Sequence, residues 1–219
     1  LSWVQKAIKF LEKAPERSGG RWPVATTRMR GIFDLLSLLY GTENLIFTMM
    51  EKPDEIHAVS ERLTEFWIGF GRMQIERIHP HYGGIGSFYY NCWATPGTIW
   101  HQEDAAALLS PEIYDEFIKP RDLKIVDAFE GCMMHRHSNG YFPYDQYINM
   151  DFTALELHID EGGPSAEQLY GAHLEILDRK PLIIWGNLGE ANRDWIFSKL
   201  PAQGLSVITC VNSPGEAKA

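Results

Sequence analysis

The chain has 219 residues, of which 45% are hydrophobic and 22% are charged, and its 20 basic and 29 acidic side chains give a net charge of −9. This apolar fraction is typical of a packed globular protein and excludes a disordered chain. The excess of acid argues against sequence-independent binding to nucleic acid or to an anionic membrane surface, because both need clustered lysine and arginine. We therefore expect neither a nucleic-acid partner nor a membrane partner.

The three cysteines, Cys92, Cys132 and Cys210, are widely spaced along the sequence. An odd and sparse set is typical of reduced, buried thiols in a cytoplasmic protein rather than of a disulfide framework. No apolar run approaches the roughly 18 residues of a membrane-spanning helix, and the amino end lacks a signal-peptide pattern. We expect a soluble cytoplasmic protein, and a fragment, since the sequence begins at Leu1.

The first half of the chain is predicted to be mostly helical, because its apolar residues recur at helical spacing. A Pro followed by two acids in the segment 52–55 is a strong helix start. In chain order, the predictions are a helix over 4–17, a strand over 22–27, helices over 33–40 and 43–50, a long helix from 52 onward, and an aromatic, alternating strand over 84–93.

The second half alternates strands and helices. Ser110 and Pro111 begin a helix in which Pro120 is expected to cause a kink. The residues before it, Glu103 and Asp104, are expected to serve the amino end of a helix. The remaining predictions are strands over 132–137, 154–160, 182–185 and 205–211, separated by helices over 164–177 and 191–200.

Strands that alternate with helices predict a parallel sheet, since parallel neighbours cannot be joined by a tight turn. Two closures compete, an open doubly wound sheet and a (β/α) barrel. No glycine-rich GxGxxG turn follows a strand, which disfavours the nucleotide-binding form. The sequence predicts six strands in a single domain over 1–219, whereas a complete eight-stranded barrel typically takes ~250 residues.

The strand predicted over 154–160 separates its side chains by polarity. Leu155, Leu157 and Ile159 share one face, and Glu156, His158 and Asp160 share the other. The apolar face should meet the helices, so the polar face must look into a barrel or a crevice. Charge in such a place is costly unless it is paired, bound to metal or wetted. A substrate cavity is the simplest explanation.

Several segments, taken together, resemble the uroporphyrinogen decarboxylase superfamily, which includes zinc-dependent, corrinoid-linked methyltransferases. No single segment is diagnostic, but their order and spacing extend over nearly the whole chain. They are GIFDLL at 31–36, GTENL at 41–45, EKPDEIHAVSER at 51–62, QEDA at 102–105 leading into LSPEIYDEFIKP at 109–120, HSNG at 137–140, and WGNL at 185–188.

The resemblance implies a (β/α)8 TIM barrel, with about six β/α units in this chain and the first two strands lying before Leu1. It also implies an active site at the carboxyl ends of the strands, as in barrels generally. The residues expected at that rim are Arg28, Arg30, Tyr90, Trp93, His135, His137, Asp160, Glu161, Asn187 and Asn212.

The chain departs from both chemistries that the superfamily implies. The decarboxylase has a tyrosine in the helix after its third strand, where this sequence has Ser37, and a histidine after its last strand that this sequence lacks. The methyltransferases bind zinc through His-x-Cys and a later cysteine. Here Asn139 replaces the first cysteine, and a neutral amide is a much poorer zinc ligand than a thiolate. The resemblance therefore implies an altered metal site.

Candidate roles follow from residue chemistry at these positions. His135 and His137 lie two apart on one strand, so they face the same way, as a metal pair or as a general base with its orienting neighbour. His158 and Asp160 would complete a nitrogen and oxygen site for a divalent metal such as zinc. We expect three catalytic residues (His137, Asp160 and Glu161), two metal ligands (His137 and His135) and substrate-binding residues at Arg28, Arg30, Tyr90, Trp93, His158 and Asn187.

Three functions remain open from the sequence. The leading one is a corrinoid-linked methyltransferase or demethylase, with a small-molecule substrate and a corrinoid supplied by a partner protein. The second is decarboxylation of an aromatic or tetrapyrrole acid, with Arg28 or Arg30 holding a carboxylate. The third is a non-catalytic scaffold that binds a corrinoid or a protein. The oligomeric state also stays open, with a homodimer among the options.

Overall fold

The computed structural model describes residues 2–87, 92–211 and 213. A five-stranded parallel sheet is its centre, with the strands in the order β3 (Thr98–Gln102), β4 (Gly131–His137), β5 (Ala154–His158), β6 (Leu182–Gly186) and β7 (Leu205–Thr209). Neighbouring strands are joined through helical segments, so each strand lies beside the next one in the sequence. The protein is therefore an α/β protein, as the alternating pattern predicts.

The helices of the first half agree with the predictions to within a few residues. They are α1 (Trp3–Ser18), α2 (Ile32–Tyr40), α3 (Thr42–Glu51) and α4 (Pro53–Arg77). The side chain of Ser2 accepts the backbone N–H of Gln5 and so caps α1. The strand predicted over 22–27 is wrong, since the structure has only an isolated bridge between Ala25 and Gly86 there.

The segment 84–93 also differs from the prediction of one strand. The described residues form an antiparallel pair, β1 (Ile85–Ser87) and β2 (Cys92–Ala94), outside the main sheet. The strand that opens the parallel sheet is instead β3, which the sequence did not reveal. All five of its residues are buried, so its sequence shows no alternation of polar and apolar residues that would mark a half-exposed strand.

The second half contains the remaining helices. They are a 3₁₀ turn at Ala105–Leu108, α5 (Pro111–Ile113), a π-helical segment at Tyr114–Ile118, α6 (Lys119–Val126), α7 (Tyr144–Tyr147), α8 (Tyr170–Arg179) and α9 (Glu190–Lys199). The π-helical segment ends at Ile118, and Pro120 lies in the first turn of α6, so the helix predicted from Ser110 is divided into three segments. The kink at Pro120 stays a prediction. The helix expected over 164–177 begins only at Tyr170. None of the helices in the described ranges is long and apolar enough to cross a membrane.

The two faces of the sheet bury different residues. Leu155, Leu157 and Ile159 lie in the main hydrophobic core beneath the helices, as predicted. On the opposite face, Trp100 and Met133 belong to a smaller cluster. The histidines and carboxylates of β4 and β5 continue this second face towards the carboxyl ends of the strands.

Two glycines allow close contacts around these strand ends. A Cβ atom at Gly31, just before α2, would lie 2.0 Å from the backbone oxygen of Gln102 at the end of β3. Gly140, in the loop after β4, has a φ of 87°, and its Cβ would lie 2.2 Å from the oxygen of Ala107. Side chains at these positions would push the loops apart.

Candidate metal and catalytic centre

Parallel register brings three histidines together at the carboxyl ends of β4 and β5. Gln102 pairs with His135, and His137 pairs with His158 on the next strand. The ring centroid of His137 lies 5.0 Å from that of His135 and 5.0 Å from that of His158. Residues two apart on a strand share a face, so the expected grouping of these side chains is confirmed.

A carboxylate lies behind each of the two histidines of β4. The Nδ1 atom of His137 is 2.7 Å from Oδ1 of Asp160, and Nδ1 of His135 contacts Oε2 of the fully buried Glu156. Asp160 also accepts the backbone N–H of Asn139 at 3.2 Å. Such carboxylates fix the tautomer and the orientation of an imidazole ring. Each ring therefore points its Nε2 atom away from its carboxylate.

Both Nε2 atoms point towards Asp104, just beyond the end of β3. The Oδ1 atom of Asp104 lies 3.3 Å from Nε2 of His135 and 3.8 Å from Nε2 of His137. Its Oδ2 atom accepts hydrogen bonds from Arg30 at 2.9 Å and from Gln102 at 2.8 Å. The Oδ1 atom is buried and has no hydrogen-bond partner. One carboxylate oxygen and two imidazole nitrogens thus meet at one point.

Burial and charge have opposite effects on the groups of this centre. Burial alone would raise the pKa of Asp104, but the nearby imidazoles of His135 and His137 and the guanidinium of Arg30 bring that pKa below its usual value. Asp160 behaves in the same way. Burial raises its pKa, but the hydrogen bond and charge of His137 lower it by more, so the pKa of Asp160 is also below its usual value. Both carboxylates are therefore ionised at neutral pH.

Burial has the largest effect on the pKa values of His135 and His158. Loss of water lowers the pKa of His135 despite the nearby charge of Asp104. The pKa of His158 is lowered for the same reason, against the opposing charge of Asp160. Neutral imidazoles beside ionised carboxylates form a set of electron-pair donors, which suits a divalent cation or the acceptance of a proton.

A cavity of about 600 Å³ opens onto this centre. Its lining combines charged and polar side chains with apolar ones, which is typical of a site for a small organic molecule. Its lining includes Arg30, Leu38, Asp104, Leu108, His137, Asn139 and Asp160. A larger hollow, of about 880 Å³, lies beside α8 near the amino ends of β6 and β7, far from the histidines.

The other residues predicted for the site lie elsewhere. Arg28, Glu161 and Asn187 are exposed, and none of the three lines the cavity. Trp93 is 58% exposed in β2, where its indole N–H donates to the backbone oxygen of His81. Of the residues predicted at the rim, Tyr90 and Asn212 lie outside the described residues.

Two residues of the centre were missed as site residues. Asp104 was expected to serve a helix, but its side chain makes no cap hydrogen bond to the 3₁₀ turn that follows it. Glu156 shares the polar face of the strand predicted over 154–160 with His158, but it is not among the predicted site residues. The polarity of Glu156 on that face could have indicated a site residue. Asp104 could have been placed at the site only from the position of β3, the strand that the sequence did not predict.

A buried polar network lies below the centre, on the helix side of β3. Glu103 accepts the backbone N–H groups of Ile32 and Phe33, so it caps α2 rather than the helical turn that follows it in the sequence. Burial, with the negative charge of Asp122 nearby, raises the pKa of Glu103 well above its usual value. His101 contacts the same Asp122 at 2.7 Å. These bonds hold α2 against the sheet.

A zinc–thiolate site of the kind implied by the resemblance does not fit these residues. Cys132 is near the amino end of β4, five residues from His137 and thus roughly 16 Å away along the strand. Cys92 lies in β2, half-buried, and Cys210 follows β7 and is exposed, so the expectation that all three thiols are buried is wrong for Cys210. None of them lines the cavity. The available donors are imidazole nitrogens and carboxylate oxygens.

Comparison with known proteins adds no family to this description. The sequence matches no profile of a known protein family, and a search of curated proteins gives no match. Fold and site together define an α/β protein with a histidine and carboxylate centre at the carboxyl edge of its parallel sheet.

Proposed function

We propose that this chain is a barrel-type enzyme of the uroporphyrinogen decarboxylase superfamily, similar to corrinoid-linked methyltransferases and demethylases but with an altered metal site. The observation that carries the proposal is the position of His137. It begins the HSNG segment that resembles the methyltransferase motif, it pairs with Asp160, and it lines the cavity. A histidine held in this way can bind a metal or move a proton.

The strand order supports a barrel. From β3 to β7 each strand lies beside the next one in the sequence, with no reversal of direction. A doubly wound sheet reverses its order at a switch point, where its ligand binds. A (β/α)8 barrel keeps a constant order and carries its active site at the carboxyl ends of the strands, which is the edge where the histidines lie. We therefore infer that these five strands are part of such a barrel.

Different side chains of the cavity would bind different parts of the methyl donor. Asp160 would orient His137 so that its Nε2 atom faces Asp104, where a metal would bind. Arg30 and Asn139 would bind polar groups of the donor, and Leu38 and Leu108 would contact its apolar part. A divalent metal bound by the imidazoles and carboxylates would supply Lewis acidity to the atom that releases the methyl group. The corrinoid acceptor would come from a partner protein.

Methyl transfer to cob(I)alamin tests the proposal directly. The protein, loaded with a divalent metal, is given a panel of small methyl donors, and the reaction is followed through the corrinoid absorption spectrum. We expect turnover with at least one donor and a loss of about 100-fold or more in His137→Ala. The matched control is His79→Ala, because His79 is exposed and outside the cavity. Equal turnover in both variants would contradict the proposal.

A second function is favoured by one feature of the same cavity. The guanidinium of Arg30 and the hydroxyl of Ser37 both line it, and the Ser37 oxygen is buried without a hydrogen-bond partner. A cation and an unpartnered hydroxyl in the lining of one cavity suit a substrate carboxylate, as decarboxylation of an aromatic or tetrapyrrole acid would need. Release of carbon dioxide from uroporphyrinogen, lost in Arg30→Gln, would favour this function over methyl transfer.

A further inference from the structure

We propose that Asp104, His135 and His137 form a divalent-metal site with two imidazole nitrogens and one carboxylate oxygen as ligands. The three ligand atoms lie within 4.8 Å of one another. This inference deepens the proposed function, since it names the ligands of the altered metal site, and it rests on that function only for the role of the site in catalysis. Metal binding itself is tested separately from methyl transfer.

The two imidazole rings are each held from one side by a carboxylate. The Nδ1 atom of His137 is 2.7 Å from Oδ1 of Asp160, and Nδ1 of His135 contacts Oε2 of Glu156. The Nε2 atom on the other side of each ring faces Oδ1 of Asp104. A histidine oriented by a carboxylate at one nitrogen commonly binds a metal through the other.

The Asp104 oxygen that faces both Nε2 atoms is the second observation. This Oδ1 atom is buried and has no hydrogen-bond partner, and a buried polar atom without a partner is costly. Its Oδ2 atom, by contrast, is fully engaged by Arg30 and Gln102. The carboxylate is thus anchored through one oxygen and leaves the other free at the meeting point.

The separations fit the bond lengths of a metal. Bonds of about 2.1 Å from one ion place neighbouring ligand atoms about 3.0 Å apart in an octahedron and about 3.4 Å apart in a tetrahedron. Oδ1 of Asp104 lies 3.3 Å from His135 Nε2 and 3.8 Å from His137 Nε2. Both values are long for a hydrogen bond and need only small rotations of the side chains to surround an ion.

The neighbouring triad of His137, His158 and Asp160 is a weaker candidate. Its carboxylate oxygen is already in a 2.7 Å hydrogen bond with Nδ1 of His137, so an ion there would have to displace that proton. Asp160 and Glu156 are instead positioning residues, which orient the two imidazoles from behind. This carboxylate–histidine–metal arrangement is typical of protein metal sites.

The donor set defines the class of metal. Imidazole nitrogens favour first-row transition metals over calcium and magnesium, and the absence of a thiolate from the ligand set disfavours copper(I). Two nitrogens and one carboxylate leave open positions for substrate, and the cavity lies beside His137 and Asp104. We infer a site for zinc, iron(II), manganese or cobalt in the divalent state that binds substrate directly.

Cobalt(II) is the probe that tests the ligand set. The protein, stripped of metal with a chelator, is titrated with Co²⁺ while its visible absorption and its thermal unfolding are recorded. We expect one equivalent to bind, to raise the melting temperature, and to give an absorption spectrum without thiolate-to-cobalt charge transfer. Asp104→Asn should weaken binding by about 100-fold or more, and Glu156→Gln by 10- to 100-fold.

Control variants separate the site from its surroundings. Arg30→Gln removes an ion pair that anchors Asp104 through Oδ2 and leaves all three ligand atoms in place, so it should weaken cobalt binding less than Asp104→Asn does. The matched control is Asp178→Asn, on the exposed face of α8, which should have no effect. A melting temperature for apo Asp104→Asn close to that of the wild-type apo protein would show that the variant still folds.

Three results would overturn the inference. They are the absence of cobalt binding, cobalt binding that survives Asp104→Asn but is lost in Asp160→Asn, and a thiolate charge-transfer band. The proposed function fails on a different result, since a chain that binds cobalt as described and transfers no methyl group would refute the enzyme activity and leave the metal site standing.

Discussion

His173 on α8 offers a quantitative test of the core, away from the candidate centre. Its side chain is fully buried and neither ring nitrogen has a hydrogen-bond partner. Burial lowers its pKa from 6.5 to about 4. Between pH 6.5 and about pH 4, the unfolded chain binds a proton at His173 that the folded protein does not bind. The stability of the wild-type protein therefore falls as the pH falls.

The size of the effect follows from the pKa difference. At 1.36 kcal/mol per pKa unit, His173 removes about 2.5 kcal/mol of stability between pH 7 and pH 4.5. His173→Leu abolishes this loss. The variant should also be more stable than the wild type at pH 7 by about 1 kcal/mol, because it no longer buries an imidazole without partners.

Urea unfolding followed by tryptophan fluorescence measures both quantities. The free energy of unfolding is determined for wild type and His173→Leu at pH 7 and pH 4.5, and the difference between the two proteins is compared across pH. This comparison removes the contribution of the other titrating groups. An equal pH dependence in both proteins would refute the reasoning, since it would mean that His173 gains its proton without unfolding.

Other substitutions test the contacts that hold the centre in place. Gly31→Ala puts a Cβ atom 2.0 Å from the oxygen of Gln102, so it should destabilise the protein by about 2 kcal/mol or more in thermal unfolding, and an unchanged melting temperature would contradict the close approach. Tyr114→Phe removes the 2.7 Å hydrogen bond to the buried Asp122 and should cost about 1–3 kcal/mol in urea unfolding; a neutral effect would mean that another donor replaces the hydroxyl. Glu103→Gln loses one of the two acceptors at the amino end of α2 and should cost a similar amount by the same measurement, whereas a gain in stability would show that removing the buried charge matters more.

Much of the fold was predictable because its strands and helices have distinct periodicities. The strands that begin near residues 132, 154, 182 and 205 were all predicted, and the apolar face of β5 is buried as its alternation indicates. The exception is β3, which is buried on both faces and so has no alternation. The aromatic run over 84–93 has a clear alternating pattern but belongs to an antiparallel pair outside the sheet.

The candidate site was predictable only where strand geometry fixes it. His135, His137, His158 and Asp160 were predicted correctly as neighbours, because their spacing and the parallel register determine which face they share. Asp104 depends on the position of β3 and could not be found without that strand. Residues in the loops beyond the strand ends are less predictable, since a loop can turn its side chains away from the cavity.

The most direct measurement is a crystal structure of the protein soaked with Co²⁺ or Zn²⁺, with anomalous data collected on both sides of the absorption edge of the metal. We predict one strong anomalous peak within about 2.3 Å of Oδ1 of Asp104 and of the Nε2 atoms of His135 and His137. A peak bound by a cysteine or by the Asp160 triad, or an empty position between these three atoms at saturating metal, would contradict the account.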